Sequence, residues 1–404
     1  MRGVDFLSRL LDGSEVVWKP LKEVLVRTKG TKITAGRMKE IHKDGAPIKI
    51  FAGGKTFAFV DYGDIPAGDV NTEPSIIVKS RGIIEFEYCE KAFSHKNEMW
   101  SYHSTESSIS IKYVYHYLKL NEFHFQNIGG KMQMPQIATP DTDKFPIPIP
   151  CPDNPDKSFA IQAEIVRILD TFTALTTELE AELTARKKQY EHYREELLTF
   201  GDDVEFRALG EVGSIYDGTH QTPEYTDEGV KFVSVENIKS LYTTTKYISK
   251  EDFNCNYKIK PQTNDLFMTR IGSIGACTVV DRDDALAFYV TLALIRPHQT
   301  KINSRYIKFI LESRTGKVEL RKKTLVNAVP IKINLGDIGK IKIPIPPLSK
   351  QKEIVAILDK FDALVNDIST GLPREIELRQ KQYAYYRDLL LSFPKPEAEL
   401  ARKA

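Results

Sequence analysis

The chain has 404 residues, more than a single ordinary hydrophobic core takes up, so two domains with connecting elements are expected. Its 41% hydrophobic and 28% charged residues are typical of a globular protein, and the formal net charge of +2 excludes a strongly basic or acidic chain. No apolar run approaches the roughly 18 residues of a membrane span, and Met1 to Asp12 lacks a signal-peptide pattern, which predicts a cytoplasmic protein with no membrane partner.

The first sequence block, residues 1–146, consists of short β-branched or apolar runs between turn residues, which predicts a mainly β domain. The predicted strands are Ile48–Phe51, Phe57–Asp61, Ser75–Lys79 and Gly82–Glu87. Ten Lys or Arg residues stand against three acidic ones from Lys19 to Lys55. Such a stretch could neutralise DNA phosphates, or it could be an ordinary solvated surface. The candidates for DNA contact in this block are Lys55, Lys79, Arg81, His95, Lys96, Asn97 and Lys131.

A helical segment, residues 147–200, follows the first block. It opens with Ile147-Pro148-Ile149-Pro150, and its apolar residues then recur at spacings of three and four, a coiled-coil stripe. About 40 helical residues would span roughly 60 Å, which suits a spacer, although a core helical hairpin gives the same periodicity. The predicted packing residues are Ile165, Phe172, Leu179 and Tyr190.

The second block, residues 201–342, is again predicted to be mainly β. Its predicted strands are Lys231–Val235, Asp265–Met268, Cys277–Val280 and Tyr289–Ile295. Glycines in its loops let the backbone approach a ligand closely, while polar side chains could bond to base edges or phosphates. The candidates for DNA contact are Thr219, His220, Gln221, Arg270, Ser273, Lys322 and Lys323, although each taken alone is more often a turn residue.

The second helical segment, residues 343–393, repeats the first one motif by motif, and a polar tail of residues 394–404 follows it. Its predicted packing residues are Ile354, Phe361, Ile368 and Tyr383. Gly371 and Pro373 predict a break or kink that the first copy lacks. A duplication of this length implies two similar halves related by an approximate two-fold axis.

Signatures of catalysis are missing from the sequence. Gly53-Gly54-Lys55-Thr56 resembles the end of a phosphate-binding loop, but Lys49 occupies the position of the required first glycine. The histidines and the four cysteines show no metal-ligand spacing. We therefore predict no catalytic residue, no metal ligand and no cofactor in this chain.

With these residues in view, the chain closely resembles the specificity subunit of type I restriction-modification enzymes. The resemblance rests on the paired Ile-Pro-x-Pro motifs, the Gln-x-x-Ile-x-x-x-Leu-Asp helices that start at Gln162 and Gln351, and the endings Arg186–Arg194 and Arg379–Arg387. The run from Asp265 to Gly275 resembles a recurrent segment of the family's target recognition domains. The first block lacks a Thr-Arg-x-Gly run of this kind.

The resemblance implies an α+β fold, in which two mainly β target recognition domains are separated by two long antiparallel helices. Each domain would read one half of a bipartite site in double-stranded DNA, and the helices would set the gap. Two modification subunits would bind S-adenosylmethionine, and restriction motor-nuclease subunits would use ATP and Mg. A DNA-binding regulatory or anti-restriction protein, or a non-catalytic scaffold, remains an alternative on the same frame.

Overall fold

The computed structural model describes residues 4–130, 133–367 and 369–394. The chain forms two compact units. The first unit contains the described residues of 1–178 and 376–404, and the second contains those of 179–375. Both helical segments contribute residues to both units. The block boundaries predicted at 146, 200, 342 and 393 therefore divide the sequence and do not coincide with the limits of the two units. Within the described ranges, no helix has the length and apolar character needed to cross a membrane.

The first block supplies most of the first unit. Its helices are α1 (Val4–Leu11), α2 (Leu21–Val24), α3 (Ala35–Glu40), α4 (Ile111–Leu120), α5 (Glu122–Gly129) and α6 (Thr139–Asp143), with a 3-10 turn at Ala67–Asp69. Its strands are β1 (Val16–Pro20), β2 (Val26–Lys29), β3 (Ile48–Phe51), β4 (Phe57–Val60), β5 (Ser75–Lys79), β6 (Glu85–Cys89), β7 (Phe93–His95), β8 (Trp100–His103) and β9 (Pro146–Pro150). The long helix α7 (Pro155–Leu197) then begins in this unit and ends in the second.

The second unit contains the second block. Its helices are α8 (Leu209–Val212), α9 (Lys250–Asn256), α10 (Ser304–Glu312), α11 (Arg314–Lys323), α12 (Leu335–Gly339) and α13 (Leu348–Asn366), and 3-10 turns lie at Val235–Asn237 and Leu241–Thr243. Its strands are β10 (Phe206–Ala208), β11 (Gly213–Asp217), β12 (Val230–Val233), β13 (Tyr247–Ile248), β14 (Leu266–Thr269), β15 (Cys277–Val279), β16 (Leu286–Phe288), β17 (Leu292–Pro297) and β18 (Lys342–Pro344). The last helix, α14 (Leu372–Leu390), returns to the first unit from Ile376 onward.

The two units share one sheet topology. The first has sheets of order β2-β8-β5-β6, β4-β3-β7 and β1-β9, and the second has β11-β17-β14-β15, β13-β12-β16 and β10-β18. In the three-stranded sheets the β3–β7 and β12–β16 pairs are parallel, whereas the β3–β4 and β12–β13 pairs are antiparallel. The duplication therefore extends through the blocks, whose sequences diverge between their ends.

The Ile-Pro-x-Pro motifs form strands that close each block on its own beginning. Trp18 of β1 lies opposite Pro148 of β9, and Phe206 of β10 lies opposite Pro344 of β18. Proline lacks an N–H donor and suits such short edge strands. Each motif therefore marks the end of a block, and a long helix follows it.

The helical segments differ as the sequence predicted. Helix α7 is continuous over 43 residues. In the second helical segment, α13 ends at Asn366 and α14 begins at Leu372, which confirms the predicted break. A side chain at Gly371 would come within 2.5 Å of the Ala363 carbonyl oxygen, so the chain can turn there only with glycine. In the first unit α7 and α14 run antiparallel, because Phe172 stacks on Tyr386 whereas Thr176, one turn later, shares a cavity with Gln380.

The structure places the predicted packing residues along these helices. Ile165, Tyr190 and Ile354 are buried, and Phe172, Leu179, Phe361 and Tyr383 are half-buried. Ile368 lies outside the described residues, as does the predicted tail after Pro394.

The fold class is confirmed as α+β, and two of the predicted strands begin three residues later than predicted. The strand predicted from Gly82 begins at Glu85, because Gly82 has a φ of +78° and forms a turn. The strand predicted from Tyr289 begins at Leu292, since the Leu292 amide donates to the Tyr289 carbonyl in a turn.

Candidate nucleic-acid interface

Loops from five parts of the first unit meet at one end of its sheets. The Thr31 amide donates to the His95 carbonyl at 2.8 Å, and the Lys96 amide donates to the Phe51 carbonyl at 2.9 Å. The Gly82 amide donates to the Pro135 carbonyl at 2.8 Å. We call residues 31–33, 52–56, 80–84, 95–98 and 133–137 the first loop cluster.

The second unit has the same arrangement. The Thr219 amide donates to the Phe288 carbonyl at 3.0 Å, and the Tyr289 amide donates to the Val233 carbonyl at 2.9 Å. The Gly272 amide donates to the Ile331 carbonyl at 2.9 Å. We call residues 219–221, 234–237, 270–275, 288–291 and 324–333 the second loop cluster.

These matched hydrogen bonds make the hairpin at Gly82 the counterpart of the hairpin at Gly272. The two glycines have φ values of +78° and +82°. The amide of Ile137 donates to Ser80 just as that of Ile333 donates to Arg270, both at 3.0 Å. Lys79-Ser80-Arg81-Gly82 therefore stands in the first block where Thr269-Arg270-Ile271-Gly272 stands in the second. Sequence comparison missed this correspondence, because only the glycine is shared.

Four candidates of the first block lie in the first loop cluster with accessible side chains. Lys55 lies in the turn between β3 and β4 and is exposed, as are Arg81 and Asn97. The Arg81 guanidinium is held by the Gln136 side-chain oxygen, at 3.3 Å from Nε and 3.1 Å from the second terminal nitrogen. Lys96 is half-buried and pairs with Glu98 at 2.5 Å. This end of the unit thus presents cationic and amide groups together.

Two other candidates of the first block are placed behind this surface. The Lys79 side chain is buried, with Nζ 2.7 Å from Glu85 and 2.8 Å from Glu87. Burial alone would lower the pKa of Lys79, but the bonds to the two carboxylates outweigh it and raise the pKa. His95 is fully buried, burial lowers its pKa, and its Nε2 lies 3.1 Å from the Ser101 hydroxyl. In this conformation both side chains support the loops from inside, contrary to the exposed positions expected from sequence.

Lys131, the remaining candidate of the first block, lies outside the described residues.

Asp217 joins two candidates of the second block. Its carboxylate lies 2.9 Å from His220 Nε2 and 3.5 Å from a terminal nitrogen of Arg270. Arg270 is only 8% exposed, and its Nε donates to the Val290 carbonyl at 3.2 Å. Arg270, which was a candidate for DNA contact, therefore lies beneath the surface and holds the exposed His220 loop and the end of β11 in place.

The other candidates of the second block lie at or near the second loop cluster. Gln221 and Ser273 are exposed, and Thr219 is half-buried. Lys322 is exposed and pairs with Glu319 at 2.6 Å, and Lys323 ends α11 where the chain enters residues 324–333. The exposed Lys332, which was not a candidate, bridges to Ile271 on the hairpin. Its counterpart across the matched hydrogen bonds is Gln136, which also could not be recognised from sequence.

Among the residues that the structure describes, no three His, Cys, Asp or Glu side chains are grouped so that they could hold a metal ion. The chemistry available at both loop clusters is hydrogen bonding and charge neutralisation.

Comparison with known proteins identifies the frame that carries these loops. The family model of the type I restriction modification DNA specificity domain matches residues 60–186 and again residues 201–378. The chain is 37% identical to a type I restriction enzyme specificity subunit of Escherichia coli over 98% of this chain and 99% of that one. It is 30% identical to a putative specificity subunit of Haemophilus influenzae, over 96% and 98% of the two chains.

The fold comparison agrees with the family match. The solved S subunit of a type I restriction-modification system from M. genitalium superposes with a TM-score of 0.63, at 14% identity, covering 95% of this chain and 98% of that one. The chain belongs to the type I restriction-modification DNA specificity family, as the sequence motifs predicted. Its role is that of a DNA sequence specificity subunit.

Proposed function

We propose that the first and second loop clusters each read one half of a bipartite target in double-stranded DNA. The observation that carries this proposal is one backbone framework presented twice with different side chains. Arg81, Lys96 and Asn97 stand in the first cluster, whereas Ile271, Tyr289 and Val290 stand at the corresponding positions of the second. A shared frame with unlike reading groups gives an asymmetric target, because base edges are distinguished by the side chains that reach them.

The helical segments carry the second part of the proposal. The continuous α7 fixes a length of roughly 65 Å at 1.5 Å per residue, which would set the gap between half-sites. The repeated helical motifs offer two modification subunits equivalent docking positions. Those subunits would bind S-adenosylmethionine and methylate adenine, and restriction motor-nuclease subunits would use ATP and Mg in the cytoplasm. This chain would contribute no catalytic group of its own.

A pair of matched variants tests the assignment of the half-sites. Arg81→Ala with Asn97→Ala alters the first loop cluster, and Gln221→Ala with Ser273→Ala alters the second. Each double variant is co-expressed with the modification subunits, and methylation is measured on DNA libraries that randomise one half-site at a time. We expect each variant to relax or weaken discrimination in one half only, and the two variants to affect opposite halves. If both variants affect the same half, or neither affects discrimination, the assignment is wrong.

A further inference from the structure

An apolar tip projects from the second loop cluster between α11 and α12. Its large side chains are unusually open for apolar residues: Leu325 is 44% exposed, Val326 58%, Val329 100% and Ile331 38%. Scattered exposed apolar residues are ordinary on a protein surface, but four within seven positions of one loop require an explanation. Burying them against a partner would be favourable by the hydrophobic effect.

The backbone of this tip is held rather than loose. The Leu325 amide donates to the Lys332 carbonyl at 2.8 Å, and the Ala328 amide donates to the Leu325 carbonyl at 3.2 Å. The Gly272 amide donates to the Ile331 carbonyl, which fixes the tip beside the Arg270 hairpin. The apolar side chains are therefore presented from a defined position within the second loop cluster.

The charges around the tip indicate the kind of partner. Lys322 and Lys323 precede it, and the exposed Lys332 follows it. Lysines around apolar side chains suit a polyanion in which apolar groups lie between the charged groups. Duplex DNA has this character, because phosphates flank the major groove and the thymine C5-methyl is an apolar group displayed on its floor.

The first loop cluster also exposes apolar side chains. Ile83, which follows the Gly82 turn, is 53% exposed, and Met134, which precedes the chain segment bonded to that turn, is 59% exposed. Both belong to the first loop cluster, in which the Arg81 side chain bonds Gln136. Met134 lies in the segment that corresponds to the tip, whereas Ile83 corresponds to Ser273 of the hairpin, so the first loop cluster exposes apolar side chains at neighbouring but not identical positions.

We propose that the tip of the second unit, with Val326 and Val329 foremost, packs against thymine methyl groups in the major groove of its half-site. This inference rests on the proposed function, and it adds an apolar determinant of sequence to the polar ones. Loss of one buried methyl contact corresponds to about a four-fold change in affinity.

Deoxyuridine provides the test, because it lacks only the thymine methyl. The full complex with its modification subunits is bound to its methylation target, and each thymine of the half-site read by the second unit is replaced in turn. We expect at least one replacement to weaken binding by about four-fold for the wild-type chain. The same replacement should have no effect on the Val326→Ser, Val329→Ser double variant, whose methyl partner has gone. Val318→Ser, which alters a 48% exposed valine on α11, is the matched control and should respond to deoxyuridine as the wild type does.

The outcomes separate the two proposals. If the wild-type complex binds its target specifically but every deoxyuridine replacement affects the wild type and the double variant equally, the thymine contact is refuted and half-site reading stands. The thymine contact is refuted in the same way if 2-aminopurine fluorescence shows that the tip unstacks bases instead. If the complex shows no sequence-specific binding at all, the proposed function fails first.

Discussion

The ring of Phe172 stacks on the ring of Tyr386 with centroids 5.1 Å apart and planes 14° apart. The equivalent residues of the two repeats, Phe361 and Tyr193, stack in the second unit at 5.4 Å and 30°. In each unit, therefore, the phenylalanine of one repeat meets the tyrosine of the other.

Removal of one stack should destabilise its own unit. We expect Phe172→Ala to lower the free energy of unfolding by about 2–3 kcal/mol, since the side chain is half-buried and the stacked pair adds to its burial. Phe159→Ala on the same helix, where the side chain is 44% exposed, should cost clearly less. Urea denaturation of the two variants provides the comparison, and equal losses would contradict a structural role for the stack.

Two buried glutamines predict a second, stronger effect. Gln162 accepts from the Ser110 amide at 2.9 Å and donates to the Ser108 carbonyl at 3.0 Å. Gln351 bonds Asn303 at 2.9 Å and Lys301 at 3.2 Å in the same way. Leucine at either site would remove the hydrogen bonds of two partly buried backbone groups, so we expect a loss of about 2–4 kcal/mol in thermal or urea unfolding.

The control for the glutamines is Gln299→Leu, in an exposed turn of the second unit. It should leave stability unchanged within about 0.5 kcal/mol. A loss at Gln299 as large as at Gln351 would show that the hydrogen bonds are not the cause.

These contacts show which part of the fold the sequence could reveal. The repeated motifs predicted the helices, the break after Asn366 and the duplication, because glutamine, proline and aromatic residues recur at fixed spacings. The two blocks were predicted to be mainly β, but the strand order of their sheets could not be read from sequences that diverge between their ends and share only Gly82 and Gly272 at the hairpin. Burial of Lys79 and His95 was equally invisible, because it depends on Glu85, Glu87 and Ser101, which the fold brings in from neighbouring strands.

Histidine burial predicts a pH dependence for the first unit. Burial lowers the pKa of His116 from its ordinary value of 6.5, and the Asp170 carboxylate, 3.1 Å from Nε2, offsets only part of that effect. The unfolded chain therefore takes up a proton at a higher pH than the folded chain. The free energy of unfolding should fall as the pH drops below about 6.5.

His116→Phe tests this dependence, because Phe309 occupies the equivalent position in the second unit. Tyr113 and Tyr306, three residues earlier, both donate to the carbonyl of the Ile-Pro-x-Pro strand. Between pH 5 and pH 8, the free energy of unfolding measured with urea should change less with pH for His116→Phe than for the wild type. His192→Gln, at a histidine whose side chain is 75% exposed, should keep the wild-type dependence of this free energy on pH.

The exposed cations of the first loop cluster predict a salt effect. If Arg81 contacts a phosphate, Arg81→Ala should weaken DNA binding and reduce the slope of log K against log salt by about 1. Lys144→Ala, an exposed lysine outside the loop cluster, should keep the wild-type slope. Binding titrations from 50 to 200 mM salt would measure both, and an unchanged slope for Arg81→Ala would exclude a phosphate contact.

Helix length predicts the gap of the target. Deleting Glu178–Ala181 from α7 removes roughly 6 Å of helix, so the recognised gap should shorten by about one or two base pairs at 3.4 Å each. A chain in which the same four positions are all alanine keeps the length and should keep the gap. An unchanged gap in the deletion variant would reject the helix as a ruler.

The most direct test of half-site reading is a map of DNA methylation made by this chain with its modification subunits. The complex is expressed in cells without other DNA methylation, and methylated adenines are located across the genome by single-molecule sequencing. Two unlike half-sites separated by a fixed gap are predicted. A single continuous motif, or no methylation by a complex that folds and co-purifies, would contradict the account and favour the regulatory or scaffold alternative.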